Sequence, residues 1–255
     1  MTHASRRGRR ALWAVVGLLF LALAIRTYQL DAQELGFDAV ASVFIAGHGP
    51  LGLVAYVRGA IREHPPLYYF LLSLWMPVAG RSEFAVRFLS VGIGIVTIAT
   101  MYRLARKTAG LSVALFATVL LALSPFHVHE SRNPRMYGLL ALFSLLSLFV
   151  FVRLLNEDRG RWWVLFWLVT GLGAFTHYYM AFVLLAEDIY LLLTCRRYRH
   201  LMLRWVLTHL ALGGAAAVWV AFSPGLWTTI VSFWDRGVAS GIRWSGAARA
   251  LNGLF

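Results

Sequence analysis

Apolar runs separated by short polar junctions make up most of this sequence. The runs are 15 to 22 residues long, against the ~20 residues that a helix needs to cross a bilayer. The runs are 11–28, 84–104, 111–128, 136–154, 162–176, 178–194 and 201–222. The pattern therefore predicts an all-α polytopic membrane protein with about seven transmembrane helices.

One further apolar stretch is too short to cross a bilayer. It covers 67–78, about a dozen residues, and it follows His64-Pro65-Pro66. If it crossed, every later basic junction would change sides. We therefore expect a juxtamembrane helix at the outer interface, where Tyr68, Tyr69 and Trp75 suit the level of the lipid headgroups.

Basic residues mark every second junction, and this alternation predicts the orientation. The four clusters hold 14 of the 24 basic residues. They are Arg6, Arg7, Arg9 and Arg10, then Arg103, Arg106 and Lys107, then Arg153, Arg159 and Arg161, then Arg196, Arg197, Arg199 and Arg204. By the positive-inside rule these junctions and the amino end are cytoplasmic, whereas Phe255 lies outside.

The chain is interpreted as one membrane module over residues 1–255. Its expected parts are a first transmembrane helix at 11–30, a first extracytoplasmic loop at 31–81 that holds the juxtamembrane helices, six further transmembrane helices within 82–222, and an extracytoplasmic segment at 223–255. A cleaved signal peptide would have a similar amino end, but the apolar run continues past Ala22-Leu23-Ala24 and favours an uncleaved anchor. Because the last residues read as the approach to another helix, we expect the module to be incomplete at its carboxyl end.

Composition excludes the soluble classes of protein. Hydrophobic residues make up 60% of the chain and charged residues only 14%, against about a quarter charged in ordinary soluble domains. The net charge of +13 is mostly the topology signal just described, so we expect membrane lipids and no nucleic acid as partners. The single Cys195 excludes an intramolecular disulfide.

Ionisable residues gather in the first two outer loops, and Asp38 stands out among them. It lies at the start of an apolar, helix-like stretch, where an aspartate is typical of an N-cap. A carboxylate at the membrane boundary can also act as a general base. His64 and Arg135 are candidates to hold an anion, although each could instead be an ordinary interfacial contact to water or lipid phosphate.

A second polar group lies inside an apolar run. Glu187 and Asp188 fall about midway along theirs, and His209 on the next run is a candidate partner. Acids in such positions are protonated, paired between helices, or line a polar path. This group motivates an alternative function, a transporter or flippase of lipid-linked precursors.

Five short motifs occur in a specific order along the chain. They are Glu63-His64-Pro65-Pro66-Leu67-Tyr68-Tyr69, Ser82-Glu83-Phe84-Ala85-Val86-Arg87, Leu123-Ser124-Pro125-Phe126-His127, Pro134-Arg135-Met136-Tyr137 and Thr176-His177-Tyr178-Tyr179. In this order they resemble the C-type-fold glycosyltransferases related to protein O-mannosyltransferases and to the aminoarabinose transferases of lipid A. The resemblance implies a multi-spanning plasma-membrane enzyme that moves a sugar from a polyprenyl-phosphate carrier to a hydroxyl of a lipid, glycan or protein, on the extracytoplasmic side.

The resemblance also suggests roles for individual residues. Asp38 matches the first position of the family's Asp-Glu pair and would be the catalytic base, but the second position is Ala39. In the Glu63-His64-Pro65 motif, His64 would contact the donor phosphate. The remaining substrate-binding candidates are Glu63, Arg135, Tyr137 and His177.

Two departures from the family pattern weaken a metal site. Besides Ala39, Asn133 stands where relatives usually carry an acid before the Arg-Met-Tyr stretch. Divalent cations favour carboxylate oxygens, so a divalent cation is possible here but is disfavoured by Ala39 and Asn133, and the sequence indicates no other cofactor. Loss of both acids also motivates a third interpretation, an inactive relative that binds a lipid-linked sugar without transferring it.

Overall fold

The computed structural model describes residues 3–32, 34–59 and 65–222, and within them the fold is entirely helical. Its ten α-helices are α1 His3–Thr27, α2 Phe37–Ala46, α3 Gly49–Gly59, α4 Leu67–Ala79, α5 Glu83–Leu123, α6 Pro125–Arg132, α7 Tyr137–Asn156, α8 Gly160–Ala174, α9 Met180–Leu193 and α10 Met202–Phe222. A short 3₁₀ turn, Arg199–Leu201, precedes α10. The predicted all-α membrane class is confirmed.

Four of the described helical stretches are long and apolar enough to cross a membrane. They are Arg9–Thr27, Glu83–Leu123, Tyr137–Asn156 and Arg199–Phe222. Helices α8 and α9 have 15 and 14 residues, which is short for a bilayer of ordinary thickness. The count of about seven spans, and the boundaries assigned to them, therefore stay predictions.

Helix α5 is a hairpin of two helical arms that meet at Gly110. Gly110 has φ of +85° and ψ of −175°, a conformation that only glycine adopts readily. Ile98 and Ala122, one on each arm, both pack against Ala22 of α1. The arms are therefore antiparallel, and the chain reverses just beyond the basic residues that end at Lys107.

The second arm ends earlier than the apolar run suggests. The hydroxyl of Ser124 accepts a hydrogen bond from the backbone N–H of His127 at 3.4 Å, and Pro125 occupies the first turn of the next helix. These two residues cap and start α6. The second arm therefore ends at Leu123, before the end of the apolar run 111–128, and an eight-residue helix starts at Pro125.

The short Pro-led stretch forms α4, but its two tyrosines are buried in protein rather than at a headgroup surface. Tyr68 and Tyr69 belong to the core that α4 shares with α5 and α7. The Tyr68 hydroxyl lies 2.7 Å from the Ser90 hydroxyl, and the Trp75 indole N–H donates to the Ala85 carbonyl at 2.7 Å. The prediction that these tyrosines lie at the level of the lipid headgroups is wrong, because the face of α4 that carries them packs inside the protein.

The two ends of α7 define two ends of the helical bundle. The helix has 20 residues and is therefore about 30 Å long. At its carboxyl end, residues in or next to the two basic junctions 153–161 and 196–204 pack into one apolar cluster. This cluster includes Leu154, Trp163 and Trp205. At its amino end lie the polar residues described next.

Candidate active site

Asp38 is in the first turn of α2, with its carboxylate open to the surroundings. The N-cap residue of this helix is Gly36, whose φ and ψ are −61° and 159°, so the N-cap interpretation of Asp38 is wrong. An acid in the first turn is favoured by the helix dipole. The Asp38 side chain is 71% exposed, and it can therefore be reached by a substrate.

Arg135 contacts Asp38 through two nitrogen atoms. Its Nη1 donates to the Asp38 backbone carbonyl at 3.1 Å, and its Nη2 lies 3.8 Å from Asp38 Oδ2. The Arg135 side chain is only 10% exposed. The fold therefore brings together two predicted site residues that are 97 positions apart, with a buried cation beneath an exposed carboxylate.

Tyr137 and His177 continue the same group of residues. The Arg135 guanidinium carbon is 5.9 Å from the centre of the Tyr137 ring, and the rings of Tyr137 and His177 are 5.6 Å apart. The Nδ1 of His177 accepts from the backbone N–H of Tyr179 at 3.1 Å. Burial, with a contribution from the positive charge of Arg135, lowers the pKa of His177 and favours the neutral ring.

Glu63 and His64, the other two predicted binding residues, lie outside the described residues. The described chain resumes at Pro65, which lines an apolar cavity of about 280 Å³ together with Phe175 and Tyr178. The backbone N–H of Leu67 donates to the Phe175 carbonyl at 3.0 Å. The start of α4 is thereby fixed next to the turn that carries His177.

A cavity of about 440 Å³ lies beside Asp38, and both departures from the family pattern line it. Ala39 and Asn133 belong to its wall, as do Gly36 and Pro134. The ionisable residues of the wall are Glu34, Arg87, His129 and Arg132. The two positions where an acid is missing therefore face one space in which the described side chains carry a positive excess.

Two arginines of this cavity hold the polypeptide that leads from α1 into α2. Arg87 Nη2 donates to the Glu34 carbonyl at 3.1 Å. Arg132 Nη2 donates to the carbonyls of Tyr28 and Gln29 at 3.1 and 2.7 Å. Arg87 is not among the site residues predicted from the sequence; the available signal was a charge within the apolar start of α5.

The described side chains do not fit a divalent cation. No group of three or more His, Cys, Asp and Glu residues is arranged to hold a metal within the described ranges. Of the described residues that line the cavity, Glu34 is the one carboxylate, and oxygen-rich cation sites need several such ligands.

The acids inside the bundle form a separate polar cluster. Ser147 Oγ donates to Glu187 Oε1 at 2.8 Å. Asp188 Oδ1 accepts from the Trp205 indole at 2.7 Å and lies 3.2 Å from His209 Nε2. The predicted proximity of an acid to His209 is thus confirmed for Asp188, whereas Glu187 pairs with Ser147.

Comparison with known proteins identifies the family. Residues 63–227 match the family described as dolichyl-phosphate-mannose-protein mannosyltransferase. A protein of Aquifex aeolicus (strain VF5), described as uncharacterized, is 28% identical over 155 residues; the match covers 59% of this chain and 30% of that relative. No solved structure matches the chain. The family match covers well over half of the sequence, and the chain belongs to the dolichyl-phosphate-mannose-protein mannosyltransferase family.

Proposed function

We propose that this membrane protein transfers a sugar from a polyprenyl-phosphate carrier to a hydroxyl group of an acceptor on the extracytoplasmic side. The observation that carries the proposal is the exposed Asp38 carboxylate held over the buried Arg135, with Tyr137 and His177 adjoining. Family membership supports a lipid-phosphate sugar as the donor. The acceptor is proposed as a lipid, a glycan or a protein.

Asp38 is the proposed base of the reaction. Its carboxylate accepts the proton of the acceptor hydroxyl as the acceptor oxygen bonds to the anomeric carbon. The bond from that carbon to the phosphate oxygen breaks at the same time, and its electron pair leaves with the phosphate. Attack opposite the leaving group inverts the anomeric centre. General-base help of this kind is worth about 10² to 10⁴ in rate.

One carboxylate is sufficient because the leaving group is a phosphate. Glycosidases use two carboxyl groups, since one of them must protonate a sugar alkoxide. A carrier phosphate leaves as a stable anion and needs cations rather than an acid. By this argument the proposed site needs no further acid at the positions of Ala39 and Asn133.

Arg135 and His64 are the proposed contacts of the carrier phosphate, with Glu63, Tyr137 and His177 as neighbouring substrate contacts. Guanidinium groups form strong, charge-assisted hydrogen bonds to phosphate oxygens. Arg135 Nη2 faces Asp38 Oδ2 at 3.8 Å. A phosphate that engages Arg135 would therefore leave the Asp38 carboxylate free to meet the acceptor.

The proposed location is the plasma membrane, with the amino end in the cytoplasm. Two basic junctions meet at one end of α7, and the Asp38 group lies at the other end, about 30 Å away. Basic residues mark the cytoplasmic side of membrane proteins. This arrangement supports an active site that opens outside.

The test is sugar transfer in membranes that contain Asp38→Asn in the full chain. Asparagine has nearly the same shape but cannot take the proton, so we expect transfer to fall at least about 10²-fold. Asp31→Asn is the matched control, because Asp31 is an exposed acid of the same loop. Undiminished transfer by a well-folded Asp38→Asn protein would remove the base assignment.

The two alternatives make different predictions in the same assay. The acid cluster of Glu187 and Asp188 supports movement of a lipid-linked precursor, which would depend on Glu187 and not on Asp38. An inactive relative would bind a polyprenyl-phosphate sugar without turnover in both the parent protein and Asp38→Asn. Transfer that requires Asp38 contradicts both.

A further inference from the structure

A groove between α8 and α10 opens on the surface at the end of the bundle far from Asp38. The helices run side by side in the same direction, since Arg204 of α10 meets Asp158 just before α8, and Leu212 packs on Gly171 further along. The groove has a volume of about 390 Å³. Trp163 and Trp167 form one wall of the groove. The small residues that make room for it are Gly160, Thr208 and Ala211.

The mouth of the groove is organised around one carboxylate oxygen. Asp158 Oδ1 accepts from the Trp163 indole N–H at 2.8 Å and from Arg204 Nη1 at 2.8 Å. It thereby ties a wall residue of the groove to a cation at its end. The Arg204 side chain remains 53% exposed, and a guanidinium has five N–H donors to offer.

Positive charge exceeds negative charge around this mouth. Glu157, the residue before Asp158, is shared by three arginines: Arg153 at 2.9 Å, Arg159 at 3.9 Å and Arg161 at 3.7 Å. Together with Arg204, four cations face two acids. The acids orient the arginines without neutralising them, so the mouth attracts an anion.

The walls behind the mouth are apolar. Val164 and Leu207 lie along the groove and are largely exposed. A soluble anion would gain nothing from such walls, whereas an amphiphile with an anionic head and an apolar tail would be matched along its whole length. Basic pockets between membrane helices are typical binding sites for anionic lipid headgroups.

We propose that this groove is a binding site for an anionic phospholipid, with the phosphate at Arg204 and one acyl chain along Trp163, Trp167 and Ala211. The lipid would lie between α8 and α10 and contact residues of both helices. The site is separate from the Asp38 group and does not depend on the proposed transfer reaction. The occupant is a lipid of the surrounding bilayer, not a substrate.

The test is lipid binding to the purified full chain in mild detergent, followed by native mass spectrometry. Phosphatidylglycerol and phosphatidylcholine with identical acyl chains are titrated separately. We expect the parent protein to favour phosphatidylglycerol, and Arg204→Gln to weaken its binding about fivefold, since one arginine near an anionic lipid surface contributes about that factor.

Two further variants separate the head from the tail and guard against misfolding. Ala211→Leu fills the groove while keeping every charge, and should weaken both lipids. Arg106→Gln removes an exposed cation near the Gly110 reversal, away from the groove, and should bind as the parent does. All variants are compared at matched gel-filtration profiles.

Each other outcome overturns the proposal. Equal binding of the two lipids by the parent protein would exclude recognition of the anionic head. Unchanged binding by Ala211→Leu would exclude the groove, and equal weakening by Arg106→Gln would reduce the effect to general surface charge. Displacement of phosphatidylglycerol by millimolar inorganic phosphate would identify a site for free anions instead of a lipid.

Discussion

Arg26 of α1 and His127 of α6 are directly joined, with Arg26 Nη2 at 2.8 Å from His127 Nδ1. An arginine can only donate hydrogen bonds, so Nδ1 must accept and the neutral ring carries its proton on Nε2. Arg26 is fully buried, and its Nη1 donates to the carbonyls of Ala22 and Ala122 at 3.1 Å each. One side chain therefore ties α6, which carries His129 and Arg132 into the cavity, to α1 and α5.

This contact predicts a loss of stability in acid. Burial, reinforced by the charge of Arg26, lowers the pKa of His127 from 6.5 to about 4. Between these two pH values His127 binds a proton in the unfolded chain but not in the folded chain. The free energy of unfolding is therefore highest above about pH 6.5 and falls as the pH drops toward 4. The cost reaches about 3 kcal/mol. Thermal unfolding in detergent from pH 8 to pH 4 measures it.

The variant His127→Asn isolates this contribution. Its amide oxygen can still accept from Arg26, but it does not titrate, so the decline in melting temperature between pH 6.5 and 4 should become shallower. His200→Asn, at an exposed position, should keep the parent slope. Burial raises the pKa of Glu130 on the same helix; that contribution has the opposite sign and cancels in the comparison. An unchanged slope in His127→Asn would contradict the assignment.

Local patterns predicted much of the candidate site. Four of its residues lie next to the ends of apolar runs, on the side that the charge pattern predicts to be extracytoplasmic: Asp38, Arg135, Tyr137 and His177. Helices that cross the membrane side by side bring the ends on one side close together. The reversal after Lys107 was predicted for the same reason, because it depends on runs and charges that are adjacent in the sequence.

Partners that are far apart in the sequence were not predictable. Arg26 reads as the end of a hydrophobic span, and nothing near it indicates a histidine 101 positions later. Hydropathy also does not show whether the Tyr68 hydroxyl meets lipid headgroups or hydrogen-bonds to Ser90 inside the protein. Both environments suit a ring that is apolar with a polar end. Which helix faces pack together decides the contacts of Arg26 and Tyr68. The periodicity of a single sequence does not show this pairing.

Close packing of α5 on α6 predicts that Gly94→Ala destabilises the protein. A Cβ at this position would lie 2.7 Å from Ser131 Cβ and would also collide with Ser131 Oγ. Overpacking of this kind costs about 1 to 3 kcal/mol. Gly92→Ala is the matched control on the same arm, where no atom lies within 4 Å. The melting temperatures should separate the two variants, and equal values would mean that α5 and α6 do not meet at Gly94.

The two-point contact between Arg135 and Asp38 predicts that lysine cannot replace the arginine. Nη1 reaches the backbone carbonyl while Nη2 faces the carboxylate, and a single ammonium group cannot span both. We expect Arg135→Lys to keep the fold and to lose about 10- to 100-fold in transfer rate at saturating donor. Arg81→Lys, at an exposed position, should transfer at the parent rate. If Arg135→Lys transfers at the parent rate, the position needs only a positive charge, and the two-point contact is not required.

The acid cluster inside the bundle decides between transfer and transport as the main activity. Glu187 is buried, its Oε1 accepts from Ser147, and Asp188 is held by Trp205 and His209. We interpret these contacts as links between α7, α9 and α10 rather than as steps of a path. Glu187→Gln keeps an oxygen that can accept from Ser147, so transfer should remain near the parent rate.

Ser147→Ala tests the same links from the other side. It leaves a buried carboxyl oxygen without its donor, which should cost about 1 to 3 kcal/mol of stability with little effect on transfer. A proton or precursor path through this cluster would give the reverse pattern, in which Glu187→Gln abolishes activity in a protein of parent stability. Measuring melting temperature and sugar transfer on Glu187→Gln, Ser147→Ala and Asp38→Asn together therefore assigns each acid to structure or to chemistry, because loss of a reacting group lowers the rate without lowering the stability, whereas loss of a structural link lowers the stability.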